Sequence, residues 1–390
     1  MITENKIAIV IPVLRRGGGA EKIASWLSKE LDSKGWSVHF ITFSRRENEY
    51  NTGGVRHSIY SSYKPHSFFS SILKARKISK ICKENDISKI LAFTEEASAV
   101  SLLAKFFGFK GKVFVAVRNN PSVRGFFSRC FIKIFYRFAD RMIANSQGMA
   151  NILQNEFNLK EISVIYNPCD IDANREKAKD ILPENIADFI RQKFVFLNIG
   201  RTIEQKGQKY LLRAFKEVSD KNPNAVLIFL GSGVLEKELK EYTKSLGIEN
   251  KILFAGILEN VYPIIAKSDC FVFSSLWEGF PNVLLDALSL DKAVISTDCD
   301  TGPRELLLEK VISAPLSYPY YGEYGVLVKT PLRGTASSPD ALLLEEKILA
   351  ESMLEAIRTN CWYGRYTQSS RAVDKFSFRK IYSLWEDVLS

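Results

Sequence analysis

The amino-acid sequence predicts an α/β protein of two Rossmann-like, doubly wound domains that face one another across a cleft. Three observations predict it. The chain has 390 residues, more than one hydrophobic core serves at about 150 residues per domain. Apolar, β-branched runs alternate with helical patterns throughout, as in parallel sheets covered by helices. The alternation breaks into a polar segment near Asn167-Pro168 and then restarts.

In the first half, strands are expected at KIAIVIPV, WSVHFITF, ISKILAF, KVFVAV, RMIANS and ISVIYN, with helices such as 20–34 and 67–84 between them. A linker is expected over 168–193, followed by strands at KFVFLNIG, NAVLIFLG, KILFAG, CFVFSS and KAVIST. The expected domains are 1–170 and 191–373, with a last helix, 374–390, that could pack on either half, the first being the preferred one. Open α/β sheets bind ligands beyond the carboxyl ends of their strands, so the cleft is the expected site.

Composition narrows the function classes. With 46% hydrophobic and 12% aromatic residues, the chain can fill packed cores and reads as a soluble globular protein. Its apolar runs fall short of the roughly 18 residues a membrane-spanning helix needs. The opening MITENKIAIVIPVLRRGGGAE reads as a strand and a glycine loop rather than a signal peptide. Six scattered cysteines and three histidines support neither a disulfide framework nor a zinc site, and point to a reducing cytoplasm. Residues 1–170 hold 26 Lys and Arg against 14 Asp and Glu, whereas 171–390 hold 28 against 30. The basic first half suits an anionic partner (nucleic acid, an acidic membrane surface or a phosphate-bearing substrate) or is simply a solvated basic face.

Several loops carry candidate chemistry. In RRGGGAEK, Gly17, Gly18 and Gly19 let backbone N–H groups approach a ligand at a helix N-terminus near Ala20-Glu21, or form a flexible turn. The loop lacks the dinucleotide fingerprint and the P-loop lysine, so neither NAD nor ATP chemistry is indicated. In NIGRTIEQKGQKYLLRAF, Arg201 and Lys206 stand where two cations could hold a diphosphate, or are solvated charges beside a turn. FLGSGVLEKELKEY places Gly231, Ser232 and Gly233 between a strand and a helix, and FAGILENVYPIIAKSD repeats the theme at Gly256. In SSLWEGFPNVLLDAL, Pro281 suits a first helical turn, and Glu278 lies in the preceding loop. Asn282 and Asp286 share a helix face about 6 Å apart along the axis. Free N–H groups for an anion and carboxylates for hydroxyls together suit a sugar nucleotide.

In order and spacing, Arg201 with Lys206-Gly207, Gly231-Ser232-Gly233 and Glu278 through Asp286 resemble the donor-site signature of retaining glycosyltransferases of family 4, which have the GT-B fold. The resemblance is strongest over 194–310, weaker over 5–44 and 112–170, and poor after 311. It implies transfer of a sugar from a nucleotide diphosphate with retention at the anomeric carbon, without metal or cofactor. It implies donor contacts at Gly18, Gly19, Arg201, Lys206, Gly231, Ser232, Gly256, Glu278, Gly279, Phe280, Pro281, Asn282, Val283 and Asp286. Among these, Arg201 and Lys206 would hold the diphosphate, Glu278 the sugar hydroxyls and Asp286 the ribose, with Glu278, Arg201 and Lys206 the catalytic set.

Two departures stand out. Asp286 occupies a position where the family carries Glu, a side chain longer by roughly 1.5 Å. Many relatives carry a His after the fourth strand of the first domain, but here Arg118-Asn119-Asn120-Pro121 follows, without a general base for neutral pH. A front-side mechanism fits, in which the departing phosphate oxygen takes the acceptor proton. Arg118 then binds an acceptor phosphate, supports the donor or is structural. Asn119 is another acceptor candidate, and Glu95 with its neighbour Glu96 either contacts acceptor hydroxyls or is plain surface charge.

Asp298-Cys299-Asp300 imitates a D-x-D metal motif, but its place on a late strand argues against metal binding. The resemblance puts Gly302, Pro303 and Glu305 in a loop lining the donor cleft. SYPYYGEYG, 317–325, is a sugar-stacking loop or a packed insertion. RGFFSRCFIKIFYRFADR, 124–141, interleaves Arg124, Arg129, Lys133, Arg137 and Arg141 with apolar residues, as a helix on an anionic bilayer does, or as a core helix with a solvated stripe.

The expected function is transfer of a hexose or N-acetylhexosamine, such as GalNAc, from a UDP-sugar to a polyprenyl-diphosphate-linked glycan in surface-polysaccharide synthesis. The expected place is the cytoplasmic face of the inner membrane, peripherally bound, with no nucleic acid as partner. The alternatives are a non-hydrolysing nucleotide-sugar epimerase and a non-catalytic, basic nucleic-acid-binding protein.

Overall fold

A computed structural model describes residues 5–61, 68–334, 341–364 and 366–390. The chain forms two compact units, Met1–Pro168 with Phe378–Ser390, and Cys169–Ser377.

The first unit carries strands β1 (Lys6–Ile11), β2 (Ser37–Ser44), β3 (Val55–Tyr60), β4 (Lys89–Phe93), β5 (Lys112–Val117), β6 (Arg141–Ala144) and β7 (Ile162–Val164). They form one parallel sheet in the order β3-β2-β1-β4-β5-β6-β7. Ile7 to Ile11 are wholly buried, because a parallel sheet covered on both faces needs strands that are apolar throughout. Six strands coincide with expected runs, but β3 was not expected. It is an edge strand, half exposed, and VRHSIY has no continuous apolar run.

Pairing of β2 with β3 brings His39 Nδ1 to 2.9 Å from His57 Nε2. Burial lowers both pKa values, and the charges of His57 and Lys6 lower that of His39 further. The unfolded chain therefore takes up these protons more readily. Their contribution to stability is full above the ordinary histidine pKa of about 6.5 and is lost as pH falls below it. The melting temperature is expected to fall between about pH 6.5 and 5, and His57→Gln to flatten that slope. An unchanged slope in the variant would count against the pair.

The second unit carries β8 (Phe194–Ile199), β9 (Ala225–Leu230), β10 (Ile252–Gly256), β11 (Cys270–Phe273), β12 (Ala293–Thr297), β13 (Tyr320–Tyr321) and β14 (Val326–Val328). Their order is β10-β9-β8-β11-β12-β14-β13, parallel except for the antiparallel β13–β14 pair. The sheet order reverses between β8 and β11, where open α/β folds place their ligands.

Three boundaries differ from expectation. The segment 168–193, read as a linker from its polarity, contains helices Ile171–Lys177 and Glu184–Ile190 and belongs to the second unit from Cys169. Asp170 caps the first by accepting from the Ala173 N–H at 2.9 Å, and buried Asn174 donates to Ser289 Oγ at 3.0 Å. The second unit ends at Ser377 rather than 373, because the 3-10 run Ser369–Phe376 buries Ala372, Val373 and Phe376. The last helix accordingly spans Phe378–Leu389 rather than starting at 374, and packs in the first unit. There Trp385 is wholly buried, 6.0 Å from the Phe93 ring.

Candidate active site

The loops after β8 and β11 meet at the switch point of the second sheet. Beyond β8 the chain passes Arg201, makes a 3-10 turn at Glu204–Lys206 and enters helix Gln208–Lys221 through Gly207. Gly207 has φ +62°, and a Cβ there would lie 2.1 Å from the Ser274 carbonyl oxygen, so only glycine permits this approach. Ser274 Oγ donates to the Lys206 carbonyl at 2.8 Å, Gln205 Nε2 to the Trp277 carbonyl at 2.8 Å, and Thr301 Oγ1 to the Glu278 carbonyl at 2.5 Å. Both loops are thereby fixed, and Lys206 Nζ lies 2.5 Å from Glu278 Oε1. The side chains are only 16% and 9% exposed, so their charges interact with little screening. Arg201 is exposed, and its guanidinium has no partner among the described residues.

The next loops are stitched to this one. Gly231, φ +121°, donates its N–H to the Gly256 carbonyl at 2.6 Å, and Ser232 accepts from the Thr202 N–H at 3.2 Å. Pro281 is the N-cap rather than part of the first turn of helix Asn282–Ser289, with ψ 102°. Asp286 on that helix is buried and accepts from the Tyr262 hydroxyl at 3.0 Å. Gly279 and Phe280 are buried and Asn282 and Val283 half-buried, the Phe280 ring lying edge-on to Phe376. Gly302, φ +98°, packs against Pro281 and caps the short helix Pro303–Leu307, in which Glu305 is buried. Tyr262 and Thr301 were not singled out in the sequence, since nothing in their local context marks them as partners of a carboxylate and a loop 24 and 23 positions away.

The D-x-D imitation resolves into an internal network. Asp298 accepts from Arg304 Nε and Nη2 at 2.9 and 2.7 Å and from the Tyr318 hydroxyl at 2.5 Å. Burial, then the bond to Asp298, pushes the Tyr318 pKa up to about 12. Tyr320 and Tyr321 form β13, and the Tyr321 hydroxyl bonds to Glu355. Of the two readings of 317–325, the packed insertion is the one these contacts describe.

In the first unit, Gly18 is the N-cap of helix Gly19–Ser33, with Gly17 at φ +95°. At the carboxyl ends of β4 and β5, Glu95 pairs with Arg124 at 2.8 Å, Glu96 with buried Lys74 at 2.6 Å, and Asn119 is exposed. Arg118 Nη1 donates to Asn167 Oδ1 at 3.0 Å, and its guanidinium lies 4.9 Å from the Phe93 ring and 5.3 Å from that of Trp385. Burial lowers its pKa to about 9, so it still carries its charge at neutral pH.

Two Rossmann-like units, one presenting a fixed ammonium–carboxylate pair at its switch point, have the GT-B glycosyltransferase architecture that the sequence predicted. Residues 17–173 match the family described as Glycosyltransferase Family 4, and residues 184–321 that described as Glycosyl transferases group 1. An uncharacterized glycosyltransferase of Methanocaldococcus jannaschii is 39% identical over 301 residues, 74% of each chain. Campylobacter jejuni N-acetylgalactosamine-N,N'-diacetylbacillosaminyl-diphospho-undecaprenol 4-alpha-N-acetylgalactosaminyltransferase is 32% identical over 223 residues, 55% of this chain and 58% of that protein. Anabaena HepE in complex with UDP and glucose has the same fold, with a TM-score of 0.76 at 20% identity over 98% of this chain and 99% of that one. The chain belongs to glycosyltransferase family 4 and is an enzyme. The epimerase and the non-catalytic nucleic-acid binder give way to that assignment.

Proposed function

We propose that this glycosyltransferase moves a hexose or N-acetylhexosamine, with N-acetylgalactosamine the first candidate, from a UDP-sugar to a polyprenyl-diphosphate-linked glycan in surface-polysaccharide assembly. The reaction retains anomeric configuration and needs no metal ion. The observation that carries this reading is the Lys206–Glu278 pair, 2.5 Å apart at the switch point, with Arg201 exposed in the same loop as Lys206. The two cations would take the diphosphate oxygens, and their fixed charge would stabilise it as a leaving group. Glu278 would accept from sugar hydroxyls, and Asp286, oriented by Tyr262, from ribose. The acceptor oxygen would bond to C1 on the face from which the C1–O bond to phosphate breaks, and the departing phosphate oxygen would take the acceptor proton. The UDP bound by HepE supports the donor class, and the diphospho-undecaprenol substrate in the Campylobacter enzyme's name supports the acceptor.

A thermal-shift panel of nucleotide sugars tests the donor. UDP-sugars at about 100 times their Kd should stabilise the chain by about 2.7 kcal/mol. Stabilisation by GDP- or ADP-sugars alone would overturn the donor assignment.

Among the described residues, no helix is long and apolar enough to cross a membrane. The 124–141 segment folds as helix Phe126–Phe135 and a 3-10 turn, burying Ile132 and Tyr136 but exposing Phe126 (74%), Phe127 (87%), Ile134 and Phe138. Phe106 adds a further exposed ring, 6.3 Å from Phe138. Arg124, Arg129 and Arg141 pair with Glu95, Glu156 and Glu161, while Lys133 and Arg137 are exposed without a partner among the described residues. Apolar wedges beside open cations suit peripheral docking on an anionic bilayer at the cytoplasmic face of the inner membrane. Vesicles containing phosphatidylglycerol should bind the protein at low salt, and a Phe126→Ser/Phe127→Ser variant should bind roughly tenfold more weakly. Equal binding by the variant would remove this face as the docking surface.

A further inference from the structure

Beyond the carboxyl ends of β4, β5 and β6, the first unit gathers buried polar atoms that have no hydrogen-bond partner among the described residues. They are Thr94 Oγ1, Arg118 Nε and Nη2, Asn120 Nδ2 and Asn145 Oδ1. Their residues follow the adjacent strands β4, β5 and β6 of one sheet. The Arg118 guanidinium lies over the ring of Phe93, the neighbour of Thr94. Asn145 Nδ2 donates to the Arg118 carbonyl at 3.3 Å, and Asn120 is two residues along the chain from Arg118. Native interiors rarely leave such atoms unpaired, so a concentration of them calls for a partner from outside the chain.

The chemistry of that partner follows from the atoms. Arg118 is held by Asn167 and by the Phe93 and Trp385 rings, so its position is set before any ligand arrives. The nearby carboxylates are already engaged, Glu95 by Arg124 and Glu96 by Lys74. A buried guanidinium without a counter-charge is costly, and two of its nitrogens still have hydrogens to donate. Nε and Nη2 form the parallel fork that meets two oxygens of one phosphate, and the Asn120 amide and Thr94 hydroxyl add donors. Asn145 Oδ1 accepts, which suits a hydroxyl beside the anion.

We propose that this cluster in the first unit is a seat for a substrate diphosphate. The seat stands on the unpaired atoms, whereas the source of its ligand rests on the glycosyltransferase reading above. Two sources share this chemistry, the nucleotide of the donor and the diphosphate that links a glycan to a polyprenyl chain.

Titrating inorganic pyrophosphate calorimetrically into the full chain, with and without saturating UDP, separates them. Pyrophosphate binding that survives saturating UDP and weakens roughly tenfold or more in Arg118→Gln assigns the seat to the lipid-linked diphosphate. If UDP abolishes that binding and Arg118→Gln weakens UDP itself, the seat serves the nucleotide. Asn120→Asp keeps the side-chain oxygen that caps Ser122 at 2.8 Å and puts a carboxylate beside Arg118. It should raise the melting temperature while abolishing pyrophosphate binding, which tests the seat even if Arg118→Gln folds poorly. Absence of pyrophosphate binding to the wild type, or equal binding by wild type and both variants, overturns the seat. A chain that UDP-sugars fail to stabilise, but that still binds pyrophosphate through Arg118, would instead overturn the donor reading and leave the seat standing.

Discussion

Lys206→Ala is expected to lower kcat/KM for sugar transfer by about 100- to 1,000-fold, the usual loss when one fixed group facing developing charge is removed. The variant loses two things at once. The ammonium that would meet the diphosphate is gone, and Glu278, buried and 2.5 Å from it, loses its counter-charge. An unpaired buried carboxylate costs about 1–3 kcal/mol of stability. Glu278→Gln should cost less stability, because Lys206 is the more exposed partner and keeps an amide oxygen beside it. If the two act as one unit, the Lys206→Ala/Glu278→Gln double variant will lose little more activity than Lys206→Ala alone and regain most of the stability. Additive activity losses in that cycle would show that the residues contribute separately, and wild-type turnover in Lys206→Ala would remove the donor assignment altogether.

The sequence made the fold legible wherever burial demanded a continuous apolar run. β1, β4, β5, β8, β9 and β11 lie inside their sheets and could be read directly, whereas β3 is an edge strand whose apolar residues are interrupted by the consecutive polar residues Arg56, His57 and Ser58. β13 and β14 are two and three residues long, too short for periodicity to register. The site was legible as an ordered set of motifs but not as contacts. Lys206 and Glu278 are 72 positions apart, and only the adjacency of β8 and β11 brings them together. Asp286 could be placed on a helix face, but its Tyr262 partner sits on another short helix. The segment 168–193 misled because its polar residues are not solvated spacers. Asp170 and Asn174 use their side chains as cap and tie, a role that composition alone cannot distinguish from a linker.

Breaking the Arg213–Glu346 pair should produce the largest loss of stability in the second unit. Arg213 lies on helix Gln208–Lys221 and Glu346 on helix Leu344–Arg358, and their side chains are 4% and 0% exposed. Arg213 Nε donates to Glu346 Oε1 at 2.7 Å and Nη2 to the Ala341 carbonyl, while Glu346 Oε2 accepts from the Leu343 N–H at 2.8 Å. Burial works against the guanidinium charge, yet its bonds to Tyr242 and Glu346 outweigh that and raise its pKa. Arg213→Met removes the cation and leaves a wholly buried carboxylate, so a loss of about 3–5 kcal/mol is expected. In a unit of this size that is about 10 °C in the melting transition. Arg213→Met/Glu346→Gln should recover most of it, because the glutamine oxygen still accepts from Leu343 without leaving a charge unpaired. UDP binding in the double variant should match wild type, since neither residue belongs to the loops after β8 and β11. A double variant as unstable as Arg213→Met would show that the lost packing of the arginine stem, rather than the orphaned carboxylate, sets the cost.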